Sequence, residues 1–257
     1  MKENHLKTMK KTTLLLFAFF IILSAAAQTV KIAAATDLRY TMDEIVKEYK
    51  KNHSQATIEV IYGSSGNFFT QISNGAPFDM YFSADILYPK KLKEAGFTQT
   101  DPKLYAIGRI VLWSSSLDVS KGLSVLAEKQ NIKIATANPE HAPYGQRSLE
   151  ALKFYKLYEK TKDQLIFGEN ISQAAQFCIT GNADAGLIAL SLALSPPMCN
   201  QGKYFLIDEK SHRPLEQAYV ILNRAKENNE AISFAGFIDS SSARTIFEKN
   251  GFTLPKK

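Results

Sequence analysis

From residue 31 onward, short apolar runs of strand length alternate with segments whose apolar positions recur every three to four residues. Lys31 to Ala35 reads as a strand, and Tyr40 to Lys51 as a helix with Met42, Ile45, Val46 and Tyr49 on one face. Thr57 to Tyr62, Asn67 to Ser73, Asp79 to Phe82 and Leu87 to Ala95 continue the alternation, giving βαβαβα. That order implies a mainly parallel sheet with helices on both faces. A strongly apolar extended stretch, Tyr105 to Trp113, follows with Gly108 near its middle.

The pattern then restarts. Strands are expected at Ile132 to Ala137, Gln164 to Phe167, Ala185 to Leu190, Tyr204 to Ile207 and Gln217 to Leu222. Helices are expected at Tyr144 to Tyr158, Ile171 to Thr180, Glu230 to Ile238 and Ser241 to Lys249, with Gly181-Asn182 as a stop signal. Extended crossings near Gly108 and near Pro214 would join two sheets into a hinged, two-lobed α/β protein. One long doubly wound sheet is the alternative.

The first residues change the picture of where the protein works. Lys2, Lys7, Lys10 and Lys11 precede an apolar run from Leu14 to Leu23, and Ser24-Ala25-Ala26-Ala27 ends it. A basic region, a short apolar core and a small-residue site form the pattern of a secretory signal peptide. The run is shorter than the roughly 20 apolar residues of a spanning helix, which leaves an uncleaved anchor as the lesser reading. Translation could start at Met1 or Met9. Removing residues 1–27 from 257 leaves 230, and the net charge falls from +6 to +3 because four lysines and one glutamate leave. So small a charge, with no basic block remaining, argues against nucleic acid. A hydrophobic fraction of 45% is enough for a proper core. Cys178 and Cys199 both lie in the exported part, paired or as two thiols.

Four places share one local design, in which a strand ends, small or polar residues follow and a helix begins. They are Ala35-Thr36-Asp37, Gly63-Ser64-Ser65-Gly66, Ala142-Pro143-Tyr144-Gly145 and Glu169-Asn170-Ile171-Ser172. Ligands of open α/β sheets bind at the carboxyl ends of strands. The unpaired N–H groups of helix N-termini favour an anion there. Any one of these sites could simply be an N-cap; four together, two in each half, point to a binding site. Enzyme motifs are missing: Gly63-Ser64-Ser65-Gly66-Asn67 lacks the last glycine of G-x-S-x-G, and no phosphate loop, dinucleotide fingerprint or H-E-x-x-H occurs. His141 borders a candidate turn, where ordering the loop is the expected role. Asp79 and Asp85 flank the third strand and read as capping or turn residues rather than an acid–base pair. Asn170-Ile171-Ser172 matches a glycosylation sequon, read as coincidental at a helix start.

Ala33-Ala34-Ala35-Thr36-Asp37-Leu38, Gly63-Ser64-Ser65-Gly66, Asn74-Gly75-Ala76-Pro77-Phe78-Asp79 and Phe82-Ser83-Ala84-Asp85 resemble segments of the periplasmic molybdate-binding proteins. So do Asn138-Pro139-Glu140-His141-Ala142-Pro143-Tyr144-Gly145, Gly168-Glu169-Asn170-Ile171-Ser172 and Asn250-Gly251-Phe252, in order along the whole exported chain. The resemblance implies a type II periplasmic-binding-protein fold, with residues 28–108 and 214–257 in one lobe and 109–213 in the other. It implies a monomer that captures molybdate or tungstate without a cofactor or catalysis and delivers it to an ABC permease and its ATPase. It also implies a site of neutral donors: hydroxyl and backbone groups of Thr36 and Ser65, backbone N–H groups of Tyr144 and Ile171, and the backbone N–H of Asp37. Many members carry a donor tyrosine where this chain has Ala189, a role the Tyr144 side chain could partly take over.

Neutral donors suit a fully ionised oxyanion and leave the proton of a hydrogen oxyanion such as phosphate without an acceptor. An inward-facing Asp37 carboxylate would weaken that discrimination. The expectation is that it turns away, pairing with Arg39 or capping the first helix. Three rival readings remain: a sulfate or other oxyanion carrier, an exported hydrolase using Ser65 with His141, and a structural or sensory exported domain that binds no transported ligand.

Overall fold

The computed structural model describes residues 29–256. The leader segment, residues 1–27, falls outside them. The chain forms two five-stranded sheets. The first half runs β1 (Thr29–Ala35), α1 (Arg39–Tyr49), β2 (Thr57–Gly63), α2 (Ser65–Ser73), β3 (Met80–Ser83), α3 (Leu87–Glu94) and β4 (Lys103–Gly108). The second runs β5 (Ile110–Ser114), α4 (Val125–Glu128), β6 (Ile134–Ala137), α5 (Pro143–Phe154), α6 (Tyr158–Thr161), β7 (Leu165–Gly168), α7 (Ile171–Ile179), β8 (Ala185–Ala189), α8 (Leu190–Ala193) and β9 (Lys203–Leu206). Then β10 (Leu215–Ile221) rejoins the first sheet, and α9 (Asn229–Ile238) and α10 (Ser241–Lys249) close the chain.

The two sheets have equivalent strand orders, β2-β1-β3-β10-β4 and β7-β6-β8-β5-β9. In each, the fourth strand is antiparallel to both neighbours and the other pairs are parallel, so four of five strands point one way. The reversed strands, β5 and β10, are those that arrive from the opposite sheet. A strand that runs up to the junction is followed by one that runs away from it, so the reversal follows from the crossing itself. The extended stretch expected over 105–113 is accordingly two strands, broken at Arg109.

Both faces of the first sheet are covered. Ile32, Phe82 and Tyr219 pack with Met42, Ile45, Phe234 and Phe247 on one side. Ala33, Tyr81 and Val220 pack with Phe68, Ile72 and Leu92 on the other. The alternation of Ile32 and Ala33 between faces is the period-two rule of a strand. The second sheet is buried around Trp113, Leu152, Leu187 and Ile188. The helix expected from Tyr144 to Tyr158 stops at Phe154, because Lys156 takes a positive φ of 56° and the chain restarts as α6.

The ladder register sets up the site. Ala35 at the end of β1 stands opposite Gly63 at the end of β2, and Ala137 of β6 stands opposite Gly168 of β7. Each pair of strands therefore releases its following turns side by side, and the two pairs face each other across the junction.

Candidate functional site

Thr36, Asp37, Ser65, Tyr144 and Ile171 line one small cavity between the two sheets. The remaining wall is Ala35, Gly63, Ser64, Ala84, Ala142, Pro143 and Asn170. The wall contains no lysine, arginine or histidine; its only acidic side chain is that of Asp37.

The first N–H groups of a helix have no acceptor within it. A capping side chain can take up this need, as at α9, where Asn228 accepts from Ala231, and at α10, where Ser240 accepts from Ala243. At the cavity, the turn at Thr36–Leu38, α2 and α5 have no side-chain cap. Only α7 has one, since Asn170 accepts from the N–H of Gln173. That explains the sequon residue as a cap. Second-position N–H groups are used to join the halves: Gly66 donates to the His141 carbonyl (2.8 Å), and Ser172 donates to Thr36 Oγ1 (3.3 Å). Proline at the start of α5 has no N–H, so Tyr144 carries that helix's first donor. Ser65 and Ile171 are the first residues of α2 and α7. The cavity is thus walled by the leading N–H groups of three helices and the turn at Thr36.

The hydroxyls are arranged to donate. Ser65 Oγ accepts from the N–H of Ala84 (3.0 Å), and Thr36 Oγ1 accepts from Ser172. Each oxygen has an N–H bound to it and keeps its own proton for another acceptor.

Asp37 differs from expectation. Its carboxylate neither pairs with Arg39, which lies over the Tyr62 ring, nor caps α1. It is buried, and its Oδ2 accepts from Tyr144 Oη (3.0 Å) and from Gln217 Nε2 (2.6 Å). Gln217 is held in turn by the Tyr105 hydroxyl, which donates to its Oε1 (2.7 Å). Burial pushes the Asp37 pKa up from 3.8 to about 6, against the hydrogen bonds from Gln217 and Tyr144 and smaller help to the charged form from the N–H groups of Asp37 and Leu38. The Tyr144 hydroxyl is thereby spent on Asp37, and Gly108 makes this possible. A Cβ at residue 108 would lie 2.3 Å from Tyr144 Oη and 2.7 Å from Gln217 Nε2.

Around the cavity the halves are clamped. Arg147 of α5 donates to Asp85 Oδ2 (2.6 Å), with the two side chains only 3% and 7% exposed. Ser172 Oγ donates to the Thr36 carbonyl and Ser191 Oγ to that of Asp37. His141 Nδ1 lies 3.0 Å from Ser64 Oγ, and Asn67 donates to Glu169. His141 orders the junction, as its position in the loop suggested. The Ser65–His141 hydrolase pair is not formed: the histidine meets Ser64, and Ser65 Oγ faces Ala84. Asp79 and Asp85 do not pair either. Asp79 is bound by Arg224 and the N–H of Lys31, and Asp85 receives the N–H of Leu87 as well as Arg147.

Two members of this arrangement, Gln217 and Arg147, were missed in the sequence. Arg147 had a signal, since it shares the buried face of α5 with Tyr144, Ser148, Ala151 and Leu152. A charge on a buried helical face calls for a partner. Gln217 lies 180 residues from Asp37 and had none. The two cysteines are both free, Cys178 buried and Cys199 exposed.

A family model described as bacterial extracellular solute-binding protein matches residues 30–253. The molybdate-binding protein ModA of Azotobacter vinelandii is 30% identical over 249 residues, 96% of this chain and 98% of that protein. That of Rhodobacter capsulatus is 31% identical over 241 residues, 93% of this chain and 94% of its own. Among solved structures, the Azotobacter vinelandii periplasmic molybdate-binding protein superimposes with a TM-score of 0.82 at 28% identity, covering 88% of this chain and all of that one.

Proposed function

Because the chain belongs to the bacterial extracellular solute-binding protein family, we propose that it captures molybdate outside the cytoplasm and delivers it to an ABC importer. The fold is the two-lobed type II periplasmic-binding-protein fold expected from the sequence. The observation that carries the ligand reading is the cavity itself: uncapped helix starts from both halves converge on a wall without a cationic side chain. An anion there is satisfied by partial charges and dipoles, and no counter-ion has to be buried with it.

Thr36 and Ser65 serve as hydroxyl and backbone donors; Asp37, Tyr144 and Ile171 serve as backbone donors. Residues 28–108 with 214–257 and residues 109–213 act as lobes that close over the anion through the crossings at Arg109 and between β9 and β10. Hydrogen bonds to a charged acceptor contribute roughly 1.5–3 kcal/mol each, so the donors of these five residues are ample for tight binding after desolvation and closure. Tungstate, of the same charge and shape, enters equally. Closure also produces the surface that a permease with its ATPase would read. The chain works as a monomer, does no chemistry on its ligand and needs no cofactor, and residues 1–27 are removed near Ala27 on export to the periplasm.

Calorimetric titration of the exported chain tests this against molybdate, tungstate, sulfate and phosphate. One-to-one binding of the first two, with sulfate far weaker, is expected; phosphate is rejected less sharply, because the Asp37 carboxylate in the wall can accept its proton. Preference for sulfate would reassign the ligand, and silence toward all four would end the oxyanion reading.

A further inference from the structure

Asp37 is the one carboxylate in the wall of a cavity built to hold an anion. Its two oxygens are not equivalent. Oδ2 is held from two sides by neutral donors, Tyr144 of α5 and Gln217 of β10. These donors are themselves fixed: Gln217 Nε2 also donates to Tyr144 Oη (3.2 Å), and Tyr105 of β4 holds the other end of the glutamine. Oδ1 is buried and has no hydrogen-bond partner among the described residues. With the lone pairs of Oδ2 occupied, a proton arriving at this carboxyl has one place to go.

The surroundings offer the ionised form no cation. The titratable groups facing it are the Tyr144 and Tyr105 hydroxyls, both pushed well above their usual range by burial and next by the charge of Asp37 itself. Arg147, one turn further along α5, is committed to Asp85 and Glu150, and His141 stands against Ser64 and Glu169. From α8, Ser191 reaches only the Asp37 carbonyl, and from α7, Ser172 reaches Thr36. A divalent anion entering such a cavity meets a like charge that nothing neutralises.

We propose that capture of a divalent oxyanion is coupled to uptake of one proton from solvent by Asp37, whose Oδ1–H then donates a hydrogen bond to the anion. This rests on the oxyanion-binding reading above and adds to it. The unfavourable carboxylate becomes one more neutral donor, and the role left open by Ala189 is filled by a residue from the opposite lobe. No covalent bond is made; one proton moves from water to Oδ1 as the anion enters.

The sign of the pH dependence follows. Burial has already brought the Asp37 pKa up to about 6 without an anion, and the anion raises it further. Above that value the free protein is ionised while the complex is protonated, so affinity falls by about tenfold for each pH unit.

The test is titration calorimetry with sodium molybdate at pH 7.5, in two buffers of different ionisation enthalpy, repeated up to pH 8.5. Wild-type protein is expected to take up close to one proton per anion and to weaken about tenfold over that pH unit. Asp37→Asn retains an N–H donor in the same place and is expected to bind with no proton uptake and a flat pH profile. Wild-type binding without proton uptake, or an equal pH slope in Asp37→Asn, would overturn the coupling and leave the oxyanion reading standing. Absence of binding by wild-type protein would overturn both.

Discussion

Arg147→Met removes the cationic end of the clamp while keeping much of the apolar stem. In the closed protein, Asp85 Oδ2 loses its only charged partner while its side chain is 7% exposed. An uncompensated charge at such a site costs about 3–5 kcal/mol, and the two side chains are too buried for solvent to screen the pair. The cost is borne by one state. Arg147 and Asp85 lie on opposite sides of the cleft, so opening returns both to water, whereas folding of each lobe leaves the pair unmade. The loss therefore falls on closure, and with capture proposed to require closure, it should appear as weaker binding. At 1.4 kcal/mol per tenfold, the molybdate dissociation constant should rise by about 10²- to 4 × 10³-fold. The melting temperature of the anion-free protein should change little, and small-angle scattering should show a more open average shape with molybdate present. Adding Asp85→Asn should restore part of the affinity, because the stranded charge is gone. Unchanged affinity, or a loss of anion-free thermal stability as large as the loss of binding energy, would refute the assignment of this pair to closure.

Gly108→Ala places a methyl group within 2.3 Å of Tyr144 Oη; overpacking of about 1–3 kcal/mol should weaken molybdate binding roughly 5- to 150-fold with the fold intact by circular dichroism. Ser65→Ala removes one of the proposed hydroxyl donors and should cost about 1.5–3 kcal/mol of binding energy, read by the same titration. In thiol alkylation at pH 8 followed by intact-mass measurement, one label per chain is expected, on Cys199. The Cys178 thiol is buried against Ala174 and pushed up to about 12 by that burial, so it stays protonated and unreactive.

The alternation of strand and helix, the two sheets and the four turns were legible because each is written in neighbouring residues. Ile32 and Ala33 reveal a strand by alternation, and Met42, Ile45 and Tyr49 reveal a helix by spacing. Chain direction is not written that way. The reversal of β5 and β10 depends on the crossing of the junction, and hydropathy is blind to it. The site was legible as a set of turns and illegible as a network. Thr36, Ser65, Tyr144 and Ile171 announced themselves by following strand ends, and the structure brings all four to one cavity. The orientation of Asp37 is decided by Gln217, far along the chain on the strand that returns through the hinge, and by Gly108, which leaves the space between them. Local preference favoured a cap or a pair with Arg39; burial between lobes overrode it.

The most direct test of the site is a crystal structure of the exported chain grown with molybdate, using anomalous scattering at the molybdenum edge. One peak is expected in the cavity between Ser65, Thr36, Tyr144 and Ile171, its oxygens within hydrogen-bonding distance of those residues' N–H and O–H groups and of no Lys, Arg or His side chain. A peak elsewhere, or an anion neutralised by a cationic side chain, would contradict a site made of neutral donors.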